Sequence, residues 1–181
     1  STAALKGGDG TDTLSMAVAT AAALDAAPVS FYTGFERLTL NNAGAGGDTI
    51  DLANLGFTTY VTTSGSGGTL TLDKLANNGT VVLTAAPTTG VTVKVADAAT
   101  GTADVLNVVL SSAGNLAAGL LTAAEVETVN ISTVDTEAAP QTKNVDSLTL
   151  TADKATSVNL TGAADLTLTL TGSTKVTSID G

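Results

Sequence analysis

Along the last third of the chain, apolar and small polar residues alternate in short bursts. The segments VDSLTLTADK from Val145, ATSVNLTGA from Ala155, ADLTLTLTGS from Ala164 and TKVTSIDG from Thr174 place apolar side chains at Leu148/Leu150, Val158/Leu160, Leu166/Leu168/Leu170 and Val176/Ile179. Alternation of this kind marks a strand with one face buried and one wet. The segments start about every ten residues, and Gly, Ala, Asp, Ser and Lys separate them as turn or surface residues. A looser form of the pattern recurs in FERLTLNN from Phe35, GGTLTLDKL from Gly67, GTVVLTA from Gly79, GVTVKVAD from Gly90, DVLNVVLSS from Asp104 and VETVNIST from Val126. Strands are therefore expected along almost the whole length.

Short strands at this spacing fit an antiparallel sandwich or a solenoid. The likeness between successive segments favours the solenoid. Stacked rungs bring equivalent positions together, so that Thr, Asn and Val form ladders, whereas sandwich strands have no reason to resemble one another. The expected fold is all-β: a parallel β-solenoid or β-roll-like stack of short strands with one or two short helical connectors, the antiparallel β-sandwich being the alternative. Two stretches break the rhythm and supply the connectors. Ser15 to Gly34 is alanine-rich and predicts a short helix ending before Pro28, because Ala favours helix and Pro drives the residue before it out of the α region. Ser112 to Glu127 predicts a second helical turn with Asn115 as its cap. One solenoid segment, 1–181, results: 1–111 with Gly/Asp corners, 112–144 a connector and acidic loop, and 145–181 regular rungs.

Charge narrows the partners. With 7 Lys+Arg against 17 Asp+Glu and a formal net charge of -10, the surface repels phosphate backbones, which argues against nucleic acid. No run approaches the roughly 20 apolar residues of a membrane span, so membrane insertion is not expected. The absence of Cys, His and Trp removes thiol nucleophiles, imidazole bases and the usual soft-metal ligands. Oxygen is left, and hard cations such as calcium take oxygen. The chain opens on Ser1-Thr2-Ala3 without the basic and apolar regions of a leader, and reads as an interior piece of a longer protein or as a mature chain exported by a C-terminal signal.

One stretch matches a metal motif. GGDGTDTLS, Gly7 to Ser15, fits the nonapeptide G-G-x-G-x-D-x-apolar-x of calcium-binding β-rolls at every specified position. Gly7, Gly8 and Gly10 permit the backbone angles of a tight turn that aims carbonyl oxygens at an ion. Asp9 and Asp12 supply carboxylates, and Leu14 begins a strand. Two partial copies follow: Asp48 and Asp51 in GGDTIDLANL, and Asp97 and Asp104 in DAATGTADVLNV. The expected Ca2+ ligands are Gly8, Asp9, Gly10, Asp12, Asp48, Asp51, Asp97 and Asp104, read as separate corners of one solenoid, with plain turns as the other reading of each Gly-Asp cluster.

Together with GFERLTLNNAGAGGDTIDLANLG (Gly34 to Gly56) and LLTAAEVETVNIST (Leu120 to Thr133), these residues resemble the S-layer proteins of Gram-negative bacteria that carry RTX-type calcium sites. The resemblance covers most of the chain but rests on composition and cadence apart from the nonapeptide. It implies an exported, calcium-ordered β-solenoid that self-assembles into a lattice on the cell surface, sent out by type I secretion. One complete nonapeptide stands here where RTX blocks carry many.

The remaining constellations are weaker. The acidic loop Val134 to Pro140 holds Asp135 and Glu137, with Glu125 and Glu127 close upstream, and reads as a solvated loop or a further calcium corner. Asn78, Asn130 and Asn159 fit the N-glycosylation pattern, two of them inside expected strands. Arg37, the one arginine, stands beside Glu36 and reads as half of a surface ion pair or a partner contact. Phe31, Tyr32 and Phe35 form the one aromatic cluster. No acid, base and charge stabiliser converge, so an enzyme is not expected. The expected function is structural, a self-assembling segment of a calcium-dependent surface-layer protein whose partners are copies of itself and cell-surface polysaccharide. A binding or spacer module of a large secreted calcium-dependent adhesin is the alternative.

Overall fold

The computed structural model describes residues 5–26, 32–65, 67–85, 89–138 and 143–181. In chain order its elements are β1 (Leu5–Lys6), β2 (Thr13–Met16), α1 (Val18–Ala26), β3 (Tyr32–Thr33), β4 (Arg37–Leu40), β5 (Asp48–Asp51), α2 (Leu52–Leu55), β6 (Tyr60–Thr63), β7 (Leu70–Leu75), β8 (Thr80–Leu83), β9 (Val91–Val95), β10 (Val105–Ser112), β11 (Ala117–Thr122), β12 (Thr128–Asp135), β13 (Val145–Thr151), β14 (Ser157–Gly162), β15 (Asp165–Leu170) and β16 (Ser178–Asp180). Even-numbered strands from β2 to β16 form one eight-stranded sheet in sequence order, odd-numbered strands from β5 to β15 a six-stranded sheet, and β1 pairs with β3. Every one of these ladders is parallel. The result is a β-solenoid of about seven turns, and the parallel pairing rules out the antiparallel sandwich.

Each turn contributes one strand to each sheet, which corrects the reading of single ten-residue segments as rungs. Consecutive segments sit on opposite sheets, and a residue meets its stacked partner 20 to 31 residues along the chain, as in Thr151 with Thr171 and Thr133 with Ala164. The alternation in sequence becomes columns running up the stack. Leu38, Val61, Val81, Val108 and Ile131 follow one another in register inside the eight-stranded sheet and are all buried. From the facing sheet, Leu70, Val91, Leu121 and Leu150 stack likewise in the same hydrophobic cluster. Burying each such side chain contributes about 1.5–3 kcal/mol, and stacking like on like is the efficient way to fill a core whose cross-section repeats.

The polar columns face outward. Thr49, Thr71, Thr92, Thr122 and Thr151 stand in register on the six-stranded sheet, and Thr171 continues the row through a hydroxyl contact of 3.2 Å. On the other sheet the amide nitrogen of Asn159 donates to Asn130 Oδ1 at 2.7 Å, that of Asn130 to Asn107 Oδ1 at 2.8 Å, and that of Asn107 to Asn78 Oδ1 at 3.0 Å. Asn130 and Asn159 thus spend their amides within the stack.

The alanine-rich stretch forms α1, ending at Ala26, while Pro28 lies outside the described residues. Val18 and Ala21 are its buried contacts. The second expected helix is not there. Residues 112–127 carry the end of β10 and the whole of β11, so the stretch expected to hold the helical turn is strand. Alanine's helical preference is outweighed because β9 and β13 offer ladders on either side and Ala118 and Leu121 become fully buried between them. Asn115 caps no helix; its side-chain oxygen accepts from Val145 N at 2.9 Å.

Candidate functional site

The nonapeptide forms the corner before β2. Gly8 and Gly10 take φ values of 102° and 113°, angles that only glycine adopts freely. Gly7 serves differently: a Cβ there would overlap the carbonyl oxygen of Gly34 on the next turn, so close approach of two backbones requires it. The Asp12 carbonyl accepts from both Glu36 N and Arg37 N at 3.1 Å. In return Asp12 N donates to Glu36 Oε2 at 2.8 Å. Asp12 Oδ2 is buried and has no hydrogen-bond partner. Asp9 stands exposed beside it in the chain.

The same handshake recurs before β10. The Asp104 carbonyl accepts from Glu127 N at 3.1 Å and Thr128 N at 3.0 Å, Asp104 N donates to Glu127 Oε2 at 2.8 Å, and Asp104 Oδ2 is again buried without a partner. Asp104 as a whole is 6% exposed. Gly101 makes its space, since a Cβ there would overlap Asp104 Oδ2. In both corners the residue two places before the glutamate is left-handed, Gly34 at φ 69° and Glu125 at φ 63°, which turns the chain to present the glutamate to the turn below. A buried carboxylate oxygen without a donor is costly, and here the defect occurs twice in one local geometry.

The other expected ligands are placed otherwise. Asp51 is engaged: its Oδ1 accepts from Ala53 N at 3.0 Å and Asn54 N at 3.1 Å as the N-cap of α2, and its Oδ2 pairs with Lys74. The Lys74 ammonium, followed by these backbone donors, holds the Asp51 carboxyl below the usual carboxylate range, and Lys74 is correspondingly raised, first by its bond to Asp51. Asp48 is half-buried at the start of β5, its carboxylate against Gly44. Asp97 lines a cavity on another corner whose walls do not include Asp104. Its carbonyl closes a turn with Thr100 N and Gly101 N. Among the described residues no group of three or more Asp or Glu side chains converges.

Each handshake corner thus offers two carboxylates, Asp12 with Glu36 and Asp104 with Glu127, and further oxygens there must come from carbonyls or water. This donor chemistry fits a hard cation such as Ca2+: the orphan Oδ2 atoms are oxygen acceptors, and Asp104 Oδ2 packs where a Cβ of residue 101 would otherwise stand.

The pairing of Glu36 with Asp12 and of Glu127 with Asp104 escapes sequence reasoning because the partners lie 24 and 23 residues apart and meet only when turns stack. The available signal is the repeated phrase itself, F-E-R-L and V-E-T-V, each an apolar-Glu-x-apolar entry to a strand. Arg37 does not pair with Glu36; its guanidinium lies over the Tyr60 ring, 4.3 Å from the centroid. Tyr32 stacks on Phe57 at 5.5 Å, its hydroxyl donating to Leu55 O and burial pushing its pKa up, while Phe31 lies outside the described residues. In the acidic loop Asp135 Oδ1 accepts from Glu137 N at 2.8 Å, as a plain turn does; Pro140 lies outside the described residues. No described helix is long and apolar enough to cross a membrane. No family model and no curated protein matches the chain.

Proposed function

We propose that this chain is a structural, self-assembling segment of a calcium-dependent bacterial surface-layer protein, an exported solenoid whose work is to pack beside copies of itself. The observation that carries the calcium part is the pair of orphan carboxylate oxygens, Asp12 Oδ2 and Asp104 Oδ2. Each lies in a corner whose backbone nitrogen is already capped by a glutamate from the adjacent turn. A bound cation supplies the partner that the orphan oxygen lacks, and couples ion binding to folding. The structural part is supported by a fold whose outer faces are ladders of Thr and Asn with few long charged side chains, a surface suited to close lateral packing.

Calorimetric calcium titration tests the site. Asp12→Ala weakens binding, whereas Asp153→Ala leaves it unchanged, because Asp153 Oδ1 accepts from Glu125 N in an exposed turn. Equal losses in the two variants mean that diffuse negative charge attracts the ion. Light scattering and electron microscopy test assembly: a monomer in chelator gives way to ordered sheets as calcium rises into the range of about 0.1–1 mM found for extracellular modules. A folded monomer throughout the titration removes the assembly claim and leaves the adhesin spacer as the better reading.

A further inference from the structure

A cavity of about 630 Å³ opens on the flank of the solenoid beside α2 and the ends of β7, β9 and β11, reaching Glu125 at the edge of the second handshake corner, within the size range of small-ligand sites. Its floor is methyl groups: Ala53, Ala76, Ala96, Ala98, Ala99 and Ala124 all line it. Its rim carries Asp73, Lys74, Lys94, Asp97 and Glu125.

Backbone conformation sets this rim apart, and its charges give it a polarity. Lys74, Asp97 and Glu125 have φ values of 60°, 59° and 63°, and they are three of the four described non-glycine residues with positive φ. Elsewhere the chain meets such angles with glycine, as at Gly8, Gly47, Gly56 and Gly172. Here it keeps charged side chains in a strained conformation, and strain of this kind concentrates at binding sites. Lys74 is held by Asp51 and Glu125 by Lys154, and Asp73 acts on Lys74. Lys94 and Asp97 stand on one rim, opposite in sign and three residues apart, and neither forms an ion pair with the other or with any other described charge.

We propose that this cavity binds a short apolar peptide with free ends, its small side chains on the alanine floor, its carboxylate at the Lys94 ammonium and its amino group at the Asp97 carboxylate. The methyl floor disfavours a sugar, whose hydroxyls would lose water without gaining partners. It offers no aromatic ring for stacking. A purely anionic ligand meets Asp97, and a purely cationic one meets Lys94, whereas a zwitterion satisfies both.

The probe is tri-alanine, read by amide chemical shifts in the full chain and by calorimetry. Binding shifts the amides of Ala96 to Ala99 and of Ala124. The acetylated and amidated peptide, which lacks both charges, binds at least tenfold more weakly, and free glycine, which lacks the apolar body, produces no shift. Lys94→Ala and Asp97→Asn each weaken tri-alanine by about tenfold or more, near the lower end of the worth of a hydrogen bond to a charged group. Both side chains are exposed, and Asn tolerates the left-handed angle, so circular dichroism of each variant matches the parent. Ala124→Trp, at an exposed position on the cavity wall, abolishes binding by filling the mouth. Absence of shifts with tri-alanine, shifts spread outside the cavity, or equal affinity for the capped peptide overturns the proposal.

Discussion

Replacing Asp104 by Asn tests the handshake corner more sharply than deletion, because the sign of the effect depends on calcium. Asn has the shape of Asp without its charge. In chelator the parent bears a buried carboxylate oxygen with no donor, a defect that costs about 1–3 kcal/mol. A neutral amide still leaves one polar atom unbonded, so the relief lies near the lower end, about 1 kcal/mol. For a chain of 181 residues that raises the melting temperature by about 2–4 °C. Calcium reverses the order. At free calcium about a hundredfold above Kd, the parent gains about 2.7 kcal/mol from this one site, a gain that the Asp104→Asn variant forgoes. Once the relief of the first effect is subtracted, a difference of about 1.7 kcal/mol remains, and it places the variant about 3–7 °C below the parent. Contributions from the Asp12 corner are the same in both proteins and cancel. The assay is thermal unfolding by circular dichroism of parent and variant, each in chelator and in excess calcium. If Asp104→Asn moves the melting temperature in the same direction under both conditions, no cation sits at this corner.

Three further outcomes follow from the geometry. Asp51→Asn keeps the N-cap and removes the charge facing Lys74; because the folded pKa of Asp51 is lowered, its stabilisation is complete above the unfolded value of about 3.9 and is lost as pH falls through the folded value, so the stability gap between parent and variant, followed by urea unfolding, closes as pH falls below about 4. Thr133→Val removes a hydroxyl that donates to Ala164 O at 2.7 Å and accepts from Ala164 N at 3.1 Å; at a position only 3% exposed this costs about 1–3 kcal/mol in urea, and a neutral substitution shows that the Ala164 backbone finds other partners. Asn130→Ala breaks the amide row on both sides and Asn159→Ala on one, so the first lowers stability about twice as much, roughly 2 against 1 kcal/mol; equal losses mean that the bonds contribute nothing beyond local packing.

What the sequence shows is whatever repeats at short range. The strands read from Leu148/Leu150, Val158/Leu160 and Leu166/Leu168/Leu170 are present as β13, β14 and β15, since period-two alternation is a local property of a half-buried strand. Which strand lies on which is not local. The assignment of alternate segments to two sheets depends on how the chain turns at its corners, and the spacing of stacked partners varies from 20 to 31 residues, so no fixed period announces it. β11 is hidden for a related reason: Ala117, Ala118 and Gly119 carry no strand preference, and neighbours on both sides supply what the residues lack. The site divides in the same way. Asp12, Gly8 and Gly10 stand in one contiguous motif and are legible; Glu36 and Glu127 become partners only across turns. Asp51 is legible as an acid before a short apolar run, but capping a helix and binding an ion draw on the same residue types, and only Ala53 N, Asn54 N and Lys74 decide between them.

The row of asparagines gives the molecule a direction. Each amide nitrogen points toward the turn before it, from Asn159 to Asn130 to Asn107 to Asn78, so the side-chain dipoles add along the axis and do not cancel, and each bond polarises the next. Two such solenoids placed side by side with their rows apposed differ in energy according to whether the arrows run together or oppose: opposed arrows attract and aligned arrows repel. A layer assembled through this face therefore alternates up and down from one molecule to the next, a pattern that a polarity label on one end of the molecule would make visible.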